Sequence, residues 1–231
     1  TLIYNDAYIP IFAGKHPDAF GKPGFSQCGW GEEDVRRVIE PMLRMVMENS
    51  EATWSEDQLL ILERNGFAEE AYFTWSYSPI NVEGGKVGGV LTIVTETTER
   101  VIGQRRLNIL NDLADRTAEV HSTDDAYSKI TNLLCQHPLD LSFFLLYRIK
   151  PEDELLYKAG ESGLPPSAAI NPERVSISES HWPFPEVIES GKELVIENLS
   201  ERFGNLPGGI WPESSKAAVM RAISLWNWNW K

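Results

Sequence analysis

Residues 72–107 contain a run of alternating aromatic and polar residues that passes without a spacer into a charged helix. Within 72–79, aromatic residues occupy every second position, and this period of two predicts a strand with one buried face. A glycine-containing turn at 83–86 predicts an antiparallel return along 87–95, with a bulge or close backbone approach at Gly88 and Gly89. The aromatic face is the candidate pocket surface, which could equally well fill the core. Its residues are Phe73, Trp75 and Tyr77.

The helix after this hairpin is predicted to span 97–120, beginning at Thr97 or Thr98, either of which could cap it. Its apolar positions lie three and four residues apart, the spacing of a coiled-coil seam, for less than two heptads. A seam this narrow needs a partner, which is either the same helix of a second chain, giving a homodimer, or the domain to which the helix belongs. Both alternatives stay open on the sequence. The seam residues are Leu107, Leu110, Ala114 and Thr117.

The residues before the hairpin predict a mixed architecture. A short strand is expected at 2–4, and the many glycines and prolines of 13–24 predict a loop. From residue 32 onward, apolar side chains recur at steps of three and four, which predicts an amphipathic helix that Pro41 can kink. A further strand is expected at 59–63. Helices beside an antiparallel meander define an α+β domain over residues 1–96.

The second half of the chain predicts another α+β domain, with the boundary at about residue 120. Ser122 and Asp125 have the spacing of a capping box, so a helix should begin there. Buried strands are expected at 141–149 and 154–160, followed by a helix at 183–191 and a strand at 193–199. The expected order is therefore helix, hairpin, loop, helix and strand over 121–222.

Charge and cysteine content narrow the functional classes. The formal net charge of −13 disfavours nucleic acid and anionic membranes as partners. Cys28 and Cys135 lie far apart and form no metal-binding pair, which fits a reducing compartment and a cytoplasmic location. No apolar run approaches the ~18 residues that span a bilayer, and no signal peptide is recognisable. An apolar start without Met predicts a fragment of a longer protein, and the tryptophan-rich 223–231 reads as an anomalous tail.

The search for catalytic chemistry favours a non-enzymatic fragment. Gly84–Gly85 and Gly88–Gly89 fall within the hairpin, where they predict turns and not a phosphate loop. No GxSxG motif occurs, and the histidines occupy loops or element ends. His121 precedes a helix start and is not expected to be a phosphoacceptor. We predict no metal and no cofactor. The histidines are His16, His121, His137 and His181.

Two segments, residues 4–23 and residues 89–100, resemble parts of a PAS sensory domain. YNDAYIPIFAGKHPDAFGKP at 4–23 resembles the PAS opening, in which a strand end carrying Asn leads to a short helix. The strand at 89–94 leads into ETTER at 96–100, where PAS domains carry Asp-Ile-Thr-Glu-Arg before a signalling helix. The resemblance implies a PAS-type sheet over 1–96 whose first strand lies before Thr1. It also implies that the helix carries the output of the sheet.

Residues from about 122 resemble a GAF domain, through the opening helix and the segment HPLDLSFFLLYRI at 137–149. The order PAS, helix, partial GAF resembles the input region of two-component sensor histidine kinases. This implies a sensory fragment of a phosphorelay protein, with a possible small-molecule ligand. The alternatives are a ligand-free dimerisation module and a photoreceptor input module. Cys28 lies in SQCGW and not in the Asn-Cys-Arg-Phe setting of flavin photoreceptors, and Cys135 lies on the opening helix, away from a bilin attachment position.

Overall fold

The chain has the predicted α+β fold. The structure, a computed structural model, describes residues 1–64, 66–150, 154–165, 170–178 and 180–223. Contacts divide it into two units, Thr1–Arg106 and Leu107–Lys231. The division falls inside one helix, so the boundaries expected at 96 and 120 stay predictions. Residues 224–231 of the predicted tail lie outside the described part.

The N-terminal region forms short helical turns. A 3₁₀ turn at Asp6–Tyr8 leads into α1 (Ile9–Phe12), and a second 3₁₀ turn follows at Ala13–Lys15. The strand predicted at 2–4 is wrong: the segment has no strand conformation, and its backbone bonds to 21–22 involve Leu2 alone. One residue cannot form the ladder that defines a strand.

Helix α2 (Glu33–Asn49) follows the predicted amphipathic pattern. Val35, Ile39 and Val46 are buried and belong to the core of the first unit. Pro41 lies inside the helix, which continues on both sides of it. Burying each such side chain contributes about 1.5–3 kcal/mol, so the apolar stripe and not local propensity holds α2 against the sheet.

The sheet of the first unit is an antiparallel meander of β1 (Thr53–Leu62), β2 (Glu69–Asn81) and β3 (Val87–Glu96), in that order. Trp75 of β2 lies opposite Val94 of β3. The pairing shifts by one residue beside Gly88, which confirms the predicted bulge. A Cβ at Gly88 would lie 2.3 Å from Val82 Cγ1, so a larger residue would require the Val82 side chain to move.

Strand β1 begins six residues before the strand that the sequence predicts at 59–63. The cause is a bulge at its centre. Ser55 pairs with Trp75 and Gln58 with Phe73, so two residues of β1 face one residue of β2. Asp57, the second of the two, has a φ of 48°. The extra residue breaks the period-two pattern on which strand prediction depends.

Helix α3 (Thr98–Ala118) begins two residues after β3 ends, as the sequence predicts. The second unit continues with α4 (Thr123–Leu134). Ser122 Oγ accepts from the Asp125 N–H at 3.1 Å, and Asp125 Oδ2 accepts from the His121 N–H at 3.2 Å. The bond to Ser122 Oγ confirms the predicted cap, whereas the Asp125 carboxylate bonds the residue before the cap and not Ser122 itself.

The second unit contains two small sheets. Strands β4 (Phe144–Ile149), β5 (Leu155–Ser162) and β6 (Arg174–Ser176) form an antiparallel sheet, on which α4 packs closely at Gly160. A Cβ there would lie 2.0 Å from Thr131 Oγ1. The remaining elements are α5 (Phe184–Ser190), β7 (Leu194–Ile196), α6 (Leu199–Phe203) and β8 (Ala218–Met220), with β7 paired to β8.

Three boundaries in the second unit differ from the prediction. The first strand starts at Phe144 and not at 141, and β7 is only three residues long. Leu199, predicted to end that strand, begins α6 and is fully buried. Strands β6 and β8 were not predicted, because three residues are too few to show a period.

Candidate functional site

A small cavity lies in the first unit, between the N-terminal turns, α2 and the sheet. Its volume is about 30 Å³, which is room for about one water molecule. All three predicted pocket residues line it. They are also core residues: Phe73 is 2% exposed, Trp75 3% and Tyr77 7%. The trio therefore both fills the core and lines what space remains, and its role in binding a ligand stays a prediction.

Two further aromatic residues that sequence reasoning missed, Tyr8 and Trp30, complete this lining. Burial raises the pKa of Tyr8 to about 12, with a smaller opposing effect of the Trp30 side chain. Burial, and then the neighbouring Tyr8, raise the pKa of Tyr77. Both phenols are therefore neutral over the physiological pH range.

The indole of Trp75 holds an unsatisfied donor. Its Nε1 is buried and has no hydrogen-bond partner among the residues that the structure describes. Buried indole N–H groups usually find an acceptor, because an unpaired one forfeits a bond to water without replacement.

A second constellation lies where the sheet meets α3. The β1 bulge presents Asp57, whose Oδ1 accepts from Thr97 Oγ1 at 2.8 Å and from the Arg100 guanidinium. The Asp57 N–H donates to Thr74 Oγ1 of β2 at 3.1 Å. One residue thus joins β1, β2 and the first turn of α3. The Arg100 hydrogen bond, followed by that of Thr97, lowers the pKa of Asp57.

Arg64 makes a parallel connection at the end of the sheet. Its Nη1 and Nη2 donate to the Glu96 carboxylate at 2.8 and 3.0 Å, and its Nε donates to Glu69 at 3.1 Å. The Arg64 hydrogen bond lowers the pKa of Glu96, an effect that burial of the carboxyl opposes. Glu96 is the last residue of β3, so this contact fixes the point from which α3 departs.

Arg105, two turns into α3, reaches back to β2. Its Nη2 and Nη1 donate to the two carboxylate oxygens of Glu70 at 2.6 and 2.9 Å, and Nη1 also donates to the Tyr72 hydroxyl at 3.3 Å. Burial and then the Glu70 charge raise the pKa of Tyr72. A bidentate guanidinium pair fixes orientation as well as distance. We call the contacts of Asp57, Arg64 and Arg105 the sheet–helix clamp.

The two threonines predicted as helix caps also join the start of α3 to the sheet. Thr97 Oγ1 donates to Asp57, and Thr98 Oγ1 accepts from the Tyr72 N–H at 2.9 Å. The Thr97 N–H also donates to the Tyr72 carbonyl at 2.7 Å. The sequence located the helix start correctly but gave no signal for these partners, which lie 26 to 40 residues away.

The predicted seam of α3 presents apolar side chains to the outside. Leu107 is 56% exposed and Leu110 is 60% exposed, and Ala114 is exposed as well. Thr117, half-buried, donates to the Leu113 carbonyl at 2.7 Å. Large apolar residues on one helix face are available for a partner, and the dimer itself stays a prediction.

The remaining chemically competent residues are dispersed. Cys28 is half-buried and Cys135 exposed, and both are free thiols. His16 Nδ1 lies 3.1 Å from the Tyr4 hydroxyl. Within the described ranges no three His, Cys, Asp or Glu side chains are grouped to hold a metal ion. Nor does any helix in those ranges have the length and apolar character to cross a bilayer.

A polar cluster on the second unit involves Lys158, whose Nζ lies 2.9 Å from Glu161 and 2.7 Å from Glu173. Asn171, which is buried, donates to Glu161. The pKa of Glu161 is lowered, because the bonds from Lys158 and Asn171 outweigh its burial. The Lys158 ammonium therefore pairs with a carboxylate on each side, and we interpret the cluster as a structural ion-pair network.

Comparisons with known proteins give no family. No protein-family model matches the chain. No curated protein matches it significantly.

Proposed function

We propose that this chain is the cytoplasmic sensory input region of a signal-transduction protein, a two-component sensor histidine kinase, and that α3 carries its output. The observation that supports this most is the placement of the two faces of β2. Phe73 lines the cavity on the inner face. Its neighbours Tyr72 and Thr74, on the outer face, bond Thr98 of α3 and Asp57 of the clamp.

Through these contacts, a structural change in the cavity can pass along β2 to the start of α3. A change in packing around Phe73 moves the backbone that holds Tyr72 and Thr74, and through them the first turn of α3. Packed elements change between discrete arrangements, because close-packed interiors do not deform continuously. A ligand or partner that prefers one arrangement shifts the population, and the helix passes the shift to whatever follows it.

Hydrogen exchange in the full chain tests the relay. Val94→Ala removes two methyl groups from the inner face of β3, and we expect it to change exchange rates along α3. Leu91→Ala, on the exposed outer face of the same strand, is the matched control and should leave α3 unchanged. Combining Val94→Ala with Arg105→Met should suppress the effect on α3. Unchanged α3 exchange in the Val94→Ala protein would overturn the relay.

A second candidate function, a ligand-free dimerisation module, draws support from the exposed Leu107 and Leu110. Native mass spectrometry and sedimentation of the full chain distinguish the two. A constitutive dimer whose α3 exchange does not respond to core variants favours the dimerisation module. A dimer whose exchange does respond favours the sensor.

A further inference from the structure

The lining of the cavity in the first unit includes Trp75, whose indole N–H has no hydrogen-bond partner among the described residues. Trp75 lines the cavity at 3% exposure, and its Nε1 is buried without a partner among the described residues. A ligand with an acceptor in the cavity would supply the missing bond. Trp75 also lies directly opposite Val94 of β3, four residues before α3 begins.

Among the residues that the structure describes, the cavity wall carries no formal charge. All of its lining side chains are aliphatic, aromatic or hydroxyl-bearing. Of the lining residues that the structure describes, Tyr8 and Tyr77 are the ones that titrate, and burial keeps both phenols protonated at neutral pH. An ion entering such a site would lose its hydration and meet no counter-charge, a large free-energy cost. The wall therefore selects uncharged molecules.

The dimensions of the cavity set a further limit. Its volume of about 30 Å³, room for about one water molecule, admits only the polar end of a ligand unless side chains move. Thr92 lines the cavity although it is exposed, so the cavity reaches the protein surface beside β3. A small molecule can therefore place its polar end inside while the rest extends towards this opening.

We propose that the cavity binds a small uncharged molecule whose carbonyl or ether oxygen accepts a hydrogen bond from Trp75 Nε1. The proposal rests on the sensory function proposed above and names the chemical class of its signal. The aromatic rings of Tyr8 and Trp30 supply the apolar contact, and the indole supplies the orientation. Binding changes the packing at Trp75, on the strand that also contacts α3.

Three probes of similar shape test this class on the ¹⁵N-labelled full chain. Cyclopentanone has an uncharged acceptor, cyclopentane has none, and cyclopentanecarboxylate carries a charge. The readout is the indole N–H resonance of Trp75, assigned by its loss in Trp75→Phe. We expect cyclopentanone to shift this resonance and to bind roughly fivefold more tightly than cyclopentane, the effect of one neutral hydrogen bond. The carboxylate should bind more weakly than either.

Variants separate the hydrogen bond from apolar contact. Trp75→Phe should bind cyclopentanone and cyclopentane with equal affinity, detected by ligand-observed NMR. Trp54→Phe, the same substitution at an exposed position of β1, should keep the preference for the ketone. Equal binding of ketone and hydrocarbon by the unsubstituted chain would overturn the ligand class and leave the relay standing. Absence of binding by all three probes would overturn the site, and the exchange experiment would still decide the relay.

Discussion

The bidentate contact between Arg105 and Glu70 allows the contribution of the sheet–helix clamp to stability to be measured. The side chains are 18% and 11% exposed, and the shortest distance between them is 2.6 Å. The Tyr72 hydroxyl donates to Glu70 at 3.2 Å and is the second partner of that carboxylate. Arg105→Met keeps most of the side-chain length while removing the charge and both donors. Glu70 would then keep only the Tyr72 hydroxyl of these two partners.

The free-energy cost of breaking the Arg105–Glu70 pair depends on how deeply the two side chains are buried. Removing one partner of a fully buried ion pair costs about 3–5 kcal/mol, whereas an exposed pair contributes about 0–1 kcal/mol. The Arg105 pair lies between these limits, so we expect Arg105→Met to cost about 2 kcal/mol. Glu70→Gln in the same protein should restore part of this loss, because it removes the uncompensated charge. The double-mutant cycle should give a coupling of about 1–2 kcal/mol.

The assay is native-state hydrogen exchange of the amides in the first two turns of α3, supported by urea unfolding. Arg116→Met is the matched control, since it makes the same substitution at an exposed position in the last turn of the same helix. We expect faster exchange in Arg105→Met alone. The argument would be refuted if the two variants lost the same free energy of unfolding to within about 0.5 kcal/mol. The Arg105–Glu70 pair would then contribute no more than a surface contact.

Three further outcomes are expected. Leu110→Asp should convert a dimer to a monomer in sedimentation while Asn111→Asp does not, and an unchanged dimer would contradict the position of the seam. The pKa values of the Asp57 and Glu96 carboxyls are lowered from 3.8 and 4.5 in the folded protein. The two ionised carboxylates therefore stabilise the folded state fully above about pH 5. This contribution is lost as the pH falls through the lowered pKa values. Asp57→Asn should flatten the thermal stability profile below that pH, and parallel profiles would argue against the Asp57 contacts. Ser122→Ala should destabilise the second unit by about 1 kcal/mol in urea, and a loss under ~0.3 kcal/mol would show that its cap contributes little.

The elements that the sequence predicted well are those whose signal is local and regular. Helix α2 has a full amphipathic stripe, the hairpin of β2 and β3 alternates, and Ser122 caps α4 through a partner three residues away. Each of these patterns is complete within one segment, so no long-range information is needed.

The parts that were missed depend on distant partners. The bulge at Asp57 disrupts the alternation of β1, and its carboxylate matters only because Thr97, 40 residues on, arrives beside it. Tyr8 and Trp30 belong to a turn and a loop without periodicity, yet both line the cavity. The trio on β2 was found because alternation marks the buried face. Whether that face encloses a space depends on the residues packed against it.

The strength of the clamp is compatible with the proposed relay. A ligand that binds only one of two arrangements, at one hundred times its dissociation constant, stabilises that arrangement by about 2.7 kcal/mol. This exceeds the roughly 2 kcal/mol expected for the Arg105 pair, so the binding proposed at Trp75 would outweigh that contact. A fully buried pair would resist such a shift, whereas fully exposed contacts would hardly distinguish the two arrangements. Under the proposed relay, the partial burial of Arg105 and Glu70 gives a contact weak enough for the binding of a small molecule to overcome.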